Sequence, residues 1–205
     1  MMMEKRHTVR KYLDKPLDMD LIGLLNDRIE RNNCVYNLTF KLITNNSDGL
    51  SSLARLMSNN SVQNYIILAG KDNSDLDKKI GYCGADLILY AQSLGLNTWW
   101  CGGMFNGKNA LKHLDNKAVR VNGVIAIGYG KTQGVPHKSK TADQVSHYKG
   151  DAPEWFTSGI KALLLAPSAL NRQPYIVNGE GNKVSLKVKN GTFSQVDLGI
   201  GKYFF

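Results

Sequence analysis

The chain has little cysteine, little acid in its second half and no long apolar run. Cys34, Cys83 and Cys101 are odd in number, unclustered and without metal-ligand spacing. Neither a disulfide framework nor a bound metal is expected from them, and reduced thiols suit a cytoplasmic protein. No apolar stretch approaches the roughly 18 residues that a membrane helix needs. Met1-Met2-Met3 runs straight into Glu4, Lys5 and Arg6, without the apolar centre of a secretory signal. The expectation is a cytoplasmic chain with no membrane partner. What remains is ordinary globular composition, 42% hydrophobic and 21% charged over 205 residues, enough for one domain or two half-domains sharing a core.

The scarcity of acid is local. Residues 1–102 carry 12 Lys and Arg against 11 Asp and Glu, whereas residues 103–205 carry 14 against 6, which places most of the net +9 in the second half. A basic surface favours anionic ligands such as a phosphorylated cofactor. Nucleic acid is not expected, because no recognition helix or aromatic RNA-binding motif accompanies the charge.

Hydrophobic periodicity predicts the elements. Lys15-Pro16-Leu17-Asp18 leads into a helix over 18–31 with Asp18 as N-cap, ended by Asn32-Asn33. Residues 38–44 alternate as a half-buried strand, 45–49 form a turn, 50–57 a short helix and 65–69 a central strand. Residues 80–94 are apolar over most of a helix circumference and belong in the interior. An extended segment over 96–103, a short helix over 109–114 and a strand over 121–129 follow, then an irregular stretch over 131–148. Asp151-Ala152-Pro153-Glu154 reads as a capping box opening a helix that runs to Leu165. Two strands, 174–178 and 184–188, flank the hairpin residues Asn178 to Asn182, and an apolar segment over 195–205 closes the chain. The order helix, strand, strand, Gly-bearing helix therefore occurs twice, with Gly84 in the first copy matched to Gly199 in the second.

Two stretches carry candidate chemistry. In Arg6-His7-Thr8-Val9-Arg10 an extended backbone would place Arg6, Thr8 and Arg10 on one side, and two guanidinium forks around a hydroxyl suit a phosphate. In Ala166-Pro167-Ser168-Ala169-Leu170-Asn171-Arg172-Gln173-Pro174-Tyr175 the prolines fix a break between helix and strand, and small polar groups lie between them. Read alone, the second stretch is a helix-to-strand loop and the first a basic N-terminus. No nucleophile–base pair has a persuasive signature, and His113, His137 and His147 lack ligand spacing. Of Trp99 and Trp100, at least one is expected in the core, and Cys101 is expected to be buried.

Together these stretches resemble the FMN-dependent nitroreductase family. Its N-terminal basic motif is similar to Arg6–Tyr12, its Pro-Ser motif to Ala166–Tyr175, its central helix and glycine pair to Leu94–Asn97 and Gly102-Gly103, and its late basic pair to Lys138-Ser139-Lys140. The resemblance implies an α+β fold with a central, mostly antiparallel sheet and helices packed around it. It further implies FMN as cofactor, NAD(P)H as donor, and a small-molecule acceptor (nitroaromatic, quinone or similar) reduced in ping-pong fashion. The implied cofactor-binding residues are Arg6, His7, Thr8, Arg10, Gly102, Gly103, Lys138, Lys140, Pro167, Ser168, Ala169 and Asn171. Arg6, Thr8 and Lys140 would serve the phosphate, Arg10 the pyrimidine edge, and Ser168 and Asn171 the ring or ribityl chain. No metal and no catalytic side chain is implied, since the flavin carries the chemistry.

One departure matters. The Pro-Ser motif lies late here rather than soon after the arginines. The chain is therefore expected to be a single domain over 1–205, pseudo-duplicated into degenerate sub-units of about 1–150 and 151–205. Such a chain would mimic the family's dimer, be a monomer, and hold one flavin. The alternative keeps the flavin and drops turnover, as a flavin-binding or redox-sensing protein.

Overall fold

The computed structural model describes residues 2–205. The chain divides into two compact units, Met1–Leu76 with Asp86–Val135, and Asp77–Ala85 with Pro136–Phe205.

In unit 1, α1 (Met2–Lys5) and α2 (Met19–Tyr36) precede β1 (Lys41–Ile43), α3 (Ser52–Met57) and β2 (Tyr65–Gly70). The long helix α4 (Leu76–Ser93), β3 (Asn97–Cys101), α5 (Gly107–Lys112) and β4 (Arg120–Gly128) follow. The four strands form one antiparallel sheet in the order β1-β2-β4-β3. Strand β2 is buried at every position, as its unbroken apolar run requires. Tyr65, Ile67, Ala69, Val124, Ala126, Trp99 and Cys101 share a core with Ala54 of α3 and Ala110 of α5. Trp99 is the core tryptophan, while Trp100 is half-buried. The one acid deep in α4, Asp86, is matched by α2: Arg28 Nε donates to its Oδ2 at 2.8 Å and Asn32 Nδ2 to the same oxygen at 2.9 Å. A buried carboxylate needs such partners.

In unit 2, α6 (Ala142–Val145), β5 (Ser146–Lys149) and α7 (Glu154–Leu163) lead to a 3-10 turn (Ala169–Asn171), β6 (Tyr175–Glu180), β7 (Lys183–Val188) and α8 (Ser194–Phe204). Its sheet has the order β5-β6-β7, with β5 parallel and β7 antiparallel to β6. Tyr175, Val177 and Gly179 face inward, and Phe156, Ile160 and Leu163 of α7 with Val196, Ile200 and Phe204 of α8 complete the core. The hairpin turns over Gly181-Asn182, where Gly181 takes φ 55°, a conformation that favours glycine.

Several boundaries differ from expectation. Helix α2 continues past Asn32-Asn33 to Tyr36, because Asn33 turns its amide inward to bracket Phe40 (Nδ2 to O 2.9 Å, Oδ1 from N 2.8 Å). The helix stops instead at Asn37 in the left-handed conformation, φ 54°. Asp18 sits at the N-cap without capping, its Oδ2 accepting the Tyr129 hydroxyl at 2.8 Å. The stretch over 131–148 is not wholly irregular, since it contains α6 and β5. Its capping box is Thr141 with Gln144, whereas Asp151 lies outside α7, whose N-cap is Pro153 without a side-chain cap. Strand β5 is weakly signalled in sequence because its Ser-His-Tyr-Lys residues alternate little, and it is held by parallel pairing to β6.

The repeated element order has an exact register. One constant offset carries Tyr65 to Lys183, Gly70 to Val188, Leu76 to Ser194 and Gly81 to Gly199, so β2 and β7 start and end in step and α4 and α8 start in step. Within unit 2 the two helices cross at these glycines. A Cβ on Gly81 would lie 2.1 Å from the Val196 carbonyl oxygen, and one on Gly199 would lie 2.0 Å from that of Lys78. Gly81 and Gly199 thus meet at this crossing. The contact is self-complementary, as at a two-fold interface between identical surfaces.

Candidate functional site

The N-terminal motif is built onto unit 1 by backbone pairing. Thr8 bridges Thr98 in parallel, with Val9 N donating to Thr98 O at 3.1 Å, and Tyr12 bridges Gly130. Val9 and Tyr12 point into the core, and the Tyr12 hydroxyl donates to Ala126 O at 3.2 Å. Thr8 and Arg10 consequently face outward, and the Arg10 guanidinium lies 5.6 Å over the Trp99 ring. Arg6 does not share their exposure. It ends the turn of α1, with its N–H bonded to Met2 O at 3.0 Å, and its side chain is 5% exposed. His7 is half-buried, its Cβ against Gly134.

Arg6 is the anomaly of this unit. Its Nε is the one buried side-chain polar atom without a hydrogen-bond partner among the described residues. Burial lowers its pKa to about 10, with no carboxylate opposing the shift. The guanidinium is still charged at neutral pH, and a buried, uncompensated cation is expensive. An anion is one partner that would offset that cost. Gly102 and Gly103 follow β3 of the same unit, half-buried and exposed respectively.

The Pro-Ser motif of unit 2 is a wound loop between α7 and β6. Leu170 (φ 52°), Asn171 (φ 54°) and Gln173 (φ 44°) all take the left-handed conformation, which costs L-residues about 1 kcal/mol or more each. Its hub is Gln173, 1% exposed. Gln173 N donates to Ser168 Oγ at 2.8 Å, Gln173 Nε2 to Lys138 O and Asn171 Oδ1, both at 2.9 Å, and Lys140 N to Gln173 Oε1 at 2.9 Å. Asn171 Nδ2 also donates to Lys138 O at 2.9 Å, and Lys140 Nζ to Gln173 O at 2.8 Å. Lys138, Lys140, Ser168 and Asn171 are thus brought together, with Pro167 and Ala169 half-buried beside them. Donor capacity is left over: the Ser168 hydroxyl proton, two N–H of Lys140 and one of Asn171. An open cleft of about 150 Å³ is lined in part by Lys140, Ala169, Arg172, Lys189 and Asp197.

Two residues of this arrangement were not singled out as site residues from sequence. Gln173 stands inside the motif before Pro174, and its burial as the hub depends on Lys138 and Lys140, which are remote in sequence. Asp197 is a lone acid in an apolar segment, and that misfit was the available signal. Elsewhere in unit 1, His113 Nε2 lies 3.0 Å from both Asp48 carboxylate oxygens, and the Tyr65 hydroxyl donates to Asp48 at 2.7 Å. No group of His, Cys, Asp and Glu able to hold a metal occurs among the described residues. Cys101 is buried, its thiol pushed up to about 12 by desolvation. No helix is long and apolar enough to cross a membrane among the described residues.

The fold recurs in solved structures. A nitroreductase candidate from Thermotoga maritima superposes with a TM-score of 0.70 at 20% identity, covering 99% of this chain and 79% of that one. A nitroreductase candidate from Desulfovibrio desulfuricans, in complex with FMN, gives 0.56 at 16% identity over 74% of this chain and 95% of its own. An FMN-dependent nitroreductase from Clostridium difficile gives 0.52 at 15% identity over 64% and 87%. No curated protein matches the sequence. The family profile described as "Putative TM nitroreductase" matches residues 1–205. With that match over its whole length and an α+β fold shared with these structures, the chain belongs to this nitroreductase family.

Proposed function

We propose that this protein is an FMN-dependent oxidoreductase that takes electrons from NAD(P)H and passes them to a small acceptor such as a nitroaromatic or a quinone. The observation that carries the reading is the buried Arg6 guanidinium with its orphaned Nε, a donor that fits a phosphate. Family membership and the FMN named for two of the similar structures point the same way.

FMN, when bound, supplies the two-electron chemistry. The chain's residues bind and orient. In unit 1 Arg6 and Thr8 are assigned to the phosphate, and Arg10, steadied by Trp99, supplies a fixed positive charge for the pyrimidine edge. Gly102 and Gly103 leave the backbone uncovered by side chains. In unit 2 the remaining donors of Ser168, Asn171 and Lys140 are assigned to the cofactor, with their other valences spent on holding the wound loop. No side chain is assigned a covalent role, consistent with a buried and protonated Cys101.

The test is anaerobic reduction of the bound flavin by NADH and by NADPH, followed by addition of a quinone or nitroaromatic. Bleaching of the flavin absorbance by at least one nicotinamide, and its recovery on adding the acceptor, is the expected result. A bound flavin that neither nicotinamide reduces would leave a flavin-binding protein without turnover.

A further inference from the structure

Asp197 is a carboxylate that the fold places at its own cost. It is 3% exposed, and burial raises its pKa from 3.8 to about 6. A carboxyl group whose folded pKa exceeds its unfolded value stabilises the fold when protonated. That contribution is lost as pH rises through the folded value. At neutral pH the ionised side chain is therefore a net burden. Residues kept under such conditions tend to serve a site.

The hydrogen bond that its carboxylate accepts shows what it does. Asp197 Oδ1 accepts the Ala169 N–H at 2.9 Å, at the first residue of the 3-10 turn in the Pro-Ser loop. The next two residues, Leu170 and Asn171, are left-handed, and Leu170 is 81% exposed. The Leu170 side chain therefore gains no burial that would offset its strained backbone. The loop is fixed from its anchors instead: Gln173 on one side, and on the other this N–H to carboxylate bond, of the stronger charge-assisted kind. Asp197 itself cannot drift. It lies between Val196 and Gly199, the two residues of α8 packed backbone-to-backbone against α4 at the glycine crossing.

We propose that Asp197 is a positioning residue for the flavin loop, holding the Ala169 amide and thereby the left-handed turn that presents Ser168 and Asn171. The proposal rests on the flavin-binding reading above, and its test separates the two. Amide hydrogen exchange over residues 168–173 is measured on the flavin-free chain, and FMN dissociation constants are measured by fluorescence titration, for wild type, Asp197→Asn, Asp197→Ala and Ala169→Pro. Ala169→Pro removes the donor rather than the acceptor, at a first-turn position that tolerates proline.

Asp197→Asn keeps an acceptor for the Ala169 N–H and removes the buried charge. Loop protection and FMN affinity should stay within about threefold of wild type, with a melting temperature at neutral pH no lower than wild type. Asp197→Ala and Ala169→Pro should each speed exchange across the loop and weaken FMN by about tenfold or more. If Asp197→Ala fails to fold, Ala169→Pro carries the same comparison. Unchanged exchange and affinity in a folded Asp197→Ala or Ala169→Pro would overturn the proposal, as would an Asn variant as damaged as the Ala variant. Altered exchange in a chain whose wild type binds no FMN would sink the flavin reading while leaving the latch in place.

Discussion

Gly81→Ala should lower stability by about 3 kcal/mol or more, in a helix where the same substitution ordinarily helps. Alanine is favoured over glycine inside a helix by about 1 kcal/mol. At Gly81, however, the new methyl would sit 2.1 Å from the Val196 carbonyl oxygen and 2.9 Å from its carbon. Both belong to helix backbone and cannot rotate away. The only relief is to part α4 from α8, which uncovers the core of unit 2 around Ile200 and Phe204. Gly199→Ala meets the Lys78 carbonyl oxygen at 2.0 Å and should do equal harm. The internal control is Gly23 in α2, where a Cβ would touch nothing within 4 Å. There the propensity gain should appear undiluted, raising the melting temperature by about 2–4 °C. Thermal unfolding of the three variants decides the matter, and similar shifts in all three would show that the crossing is not tight.

The second large effect is at Arg6, where stability and binding should move in opposite directions. Arg6→Met replaces a buried cation that lacks a partner at Nε with an apolar chain of similar length. Such replacements are often neutral or stabilise by 1–4 kcal/mol, roughly. The flavin-free variant should therefore melt no lower than wild type. If the guanidinium is reserved for a phosphate, FMN affinity should fall by about 100-fold, the value of a charge-assisted contact. A less stable variant with unchanged FMN affinity would make Arg6 a structural residue. Reading both quantities on the same sample excludes the trivial outcome in which affinity falls because the fold has failed.

Much of this arrangement was legible in the residues. The unbroken apolar runs gave β2 and β4, the all-round apolar helix gave α4, and Asn178 to Asn182 gave the hairpin, because each is determined within a few residues of itself, although β6 runs on to Glu180 and leaves only Gly181-Asn182 in the turn. The Pro-Ser motif was legible as a break between helix and strand for the same reason. What the residues hid was set by distant partners. Strand β5 exists through parallel pairing with β6, Asn33 is turned inward by Phe40, and Gln173 is buried because Lys138 and Lys140 close over it. Gly84 resembles Gly199 in opening apolar sequence, but sequence context does not reveal that Gly81 is a glycine that Gly199 touches. That contact depends on which backbone each glycine meets, and spacing alone does not carry that information. The extended backbone that would align Arg6 with Thr8 and Arg10 is interrupted locally: α1 runs to Lys5, and Arg6 is buried where Thr8 and Arg10 are exposed.

The central claim is that this chain holds FMN through residues it carries itself. Its most direct test is the absorbance spectrum of the purified chain after incubation with FMN and removal of the excess. Flavin bands retained at close to one FMN per chain, in a protein that sediments as a monomer, are the predicted result. A colourless chain, or a ratio near two, would contradict it.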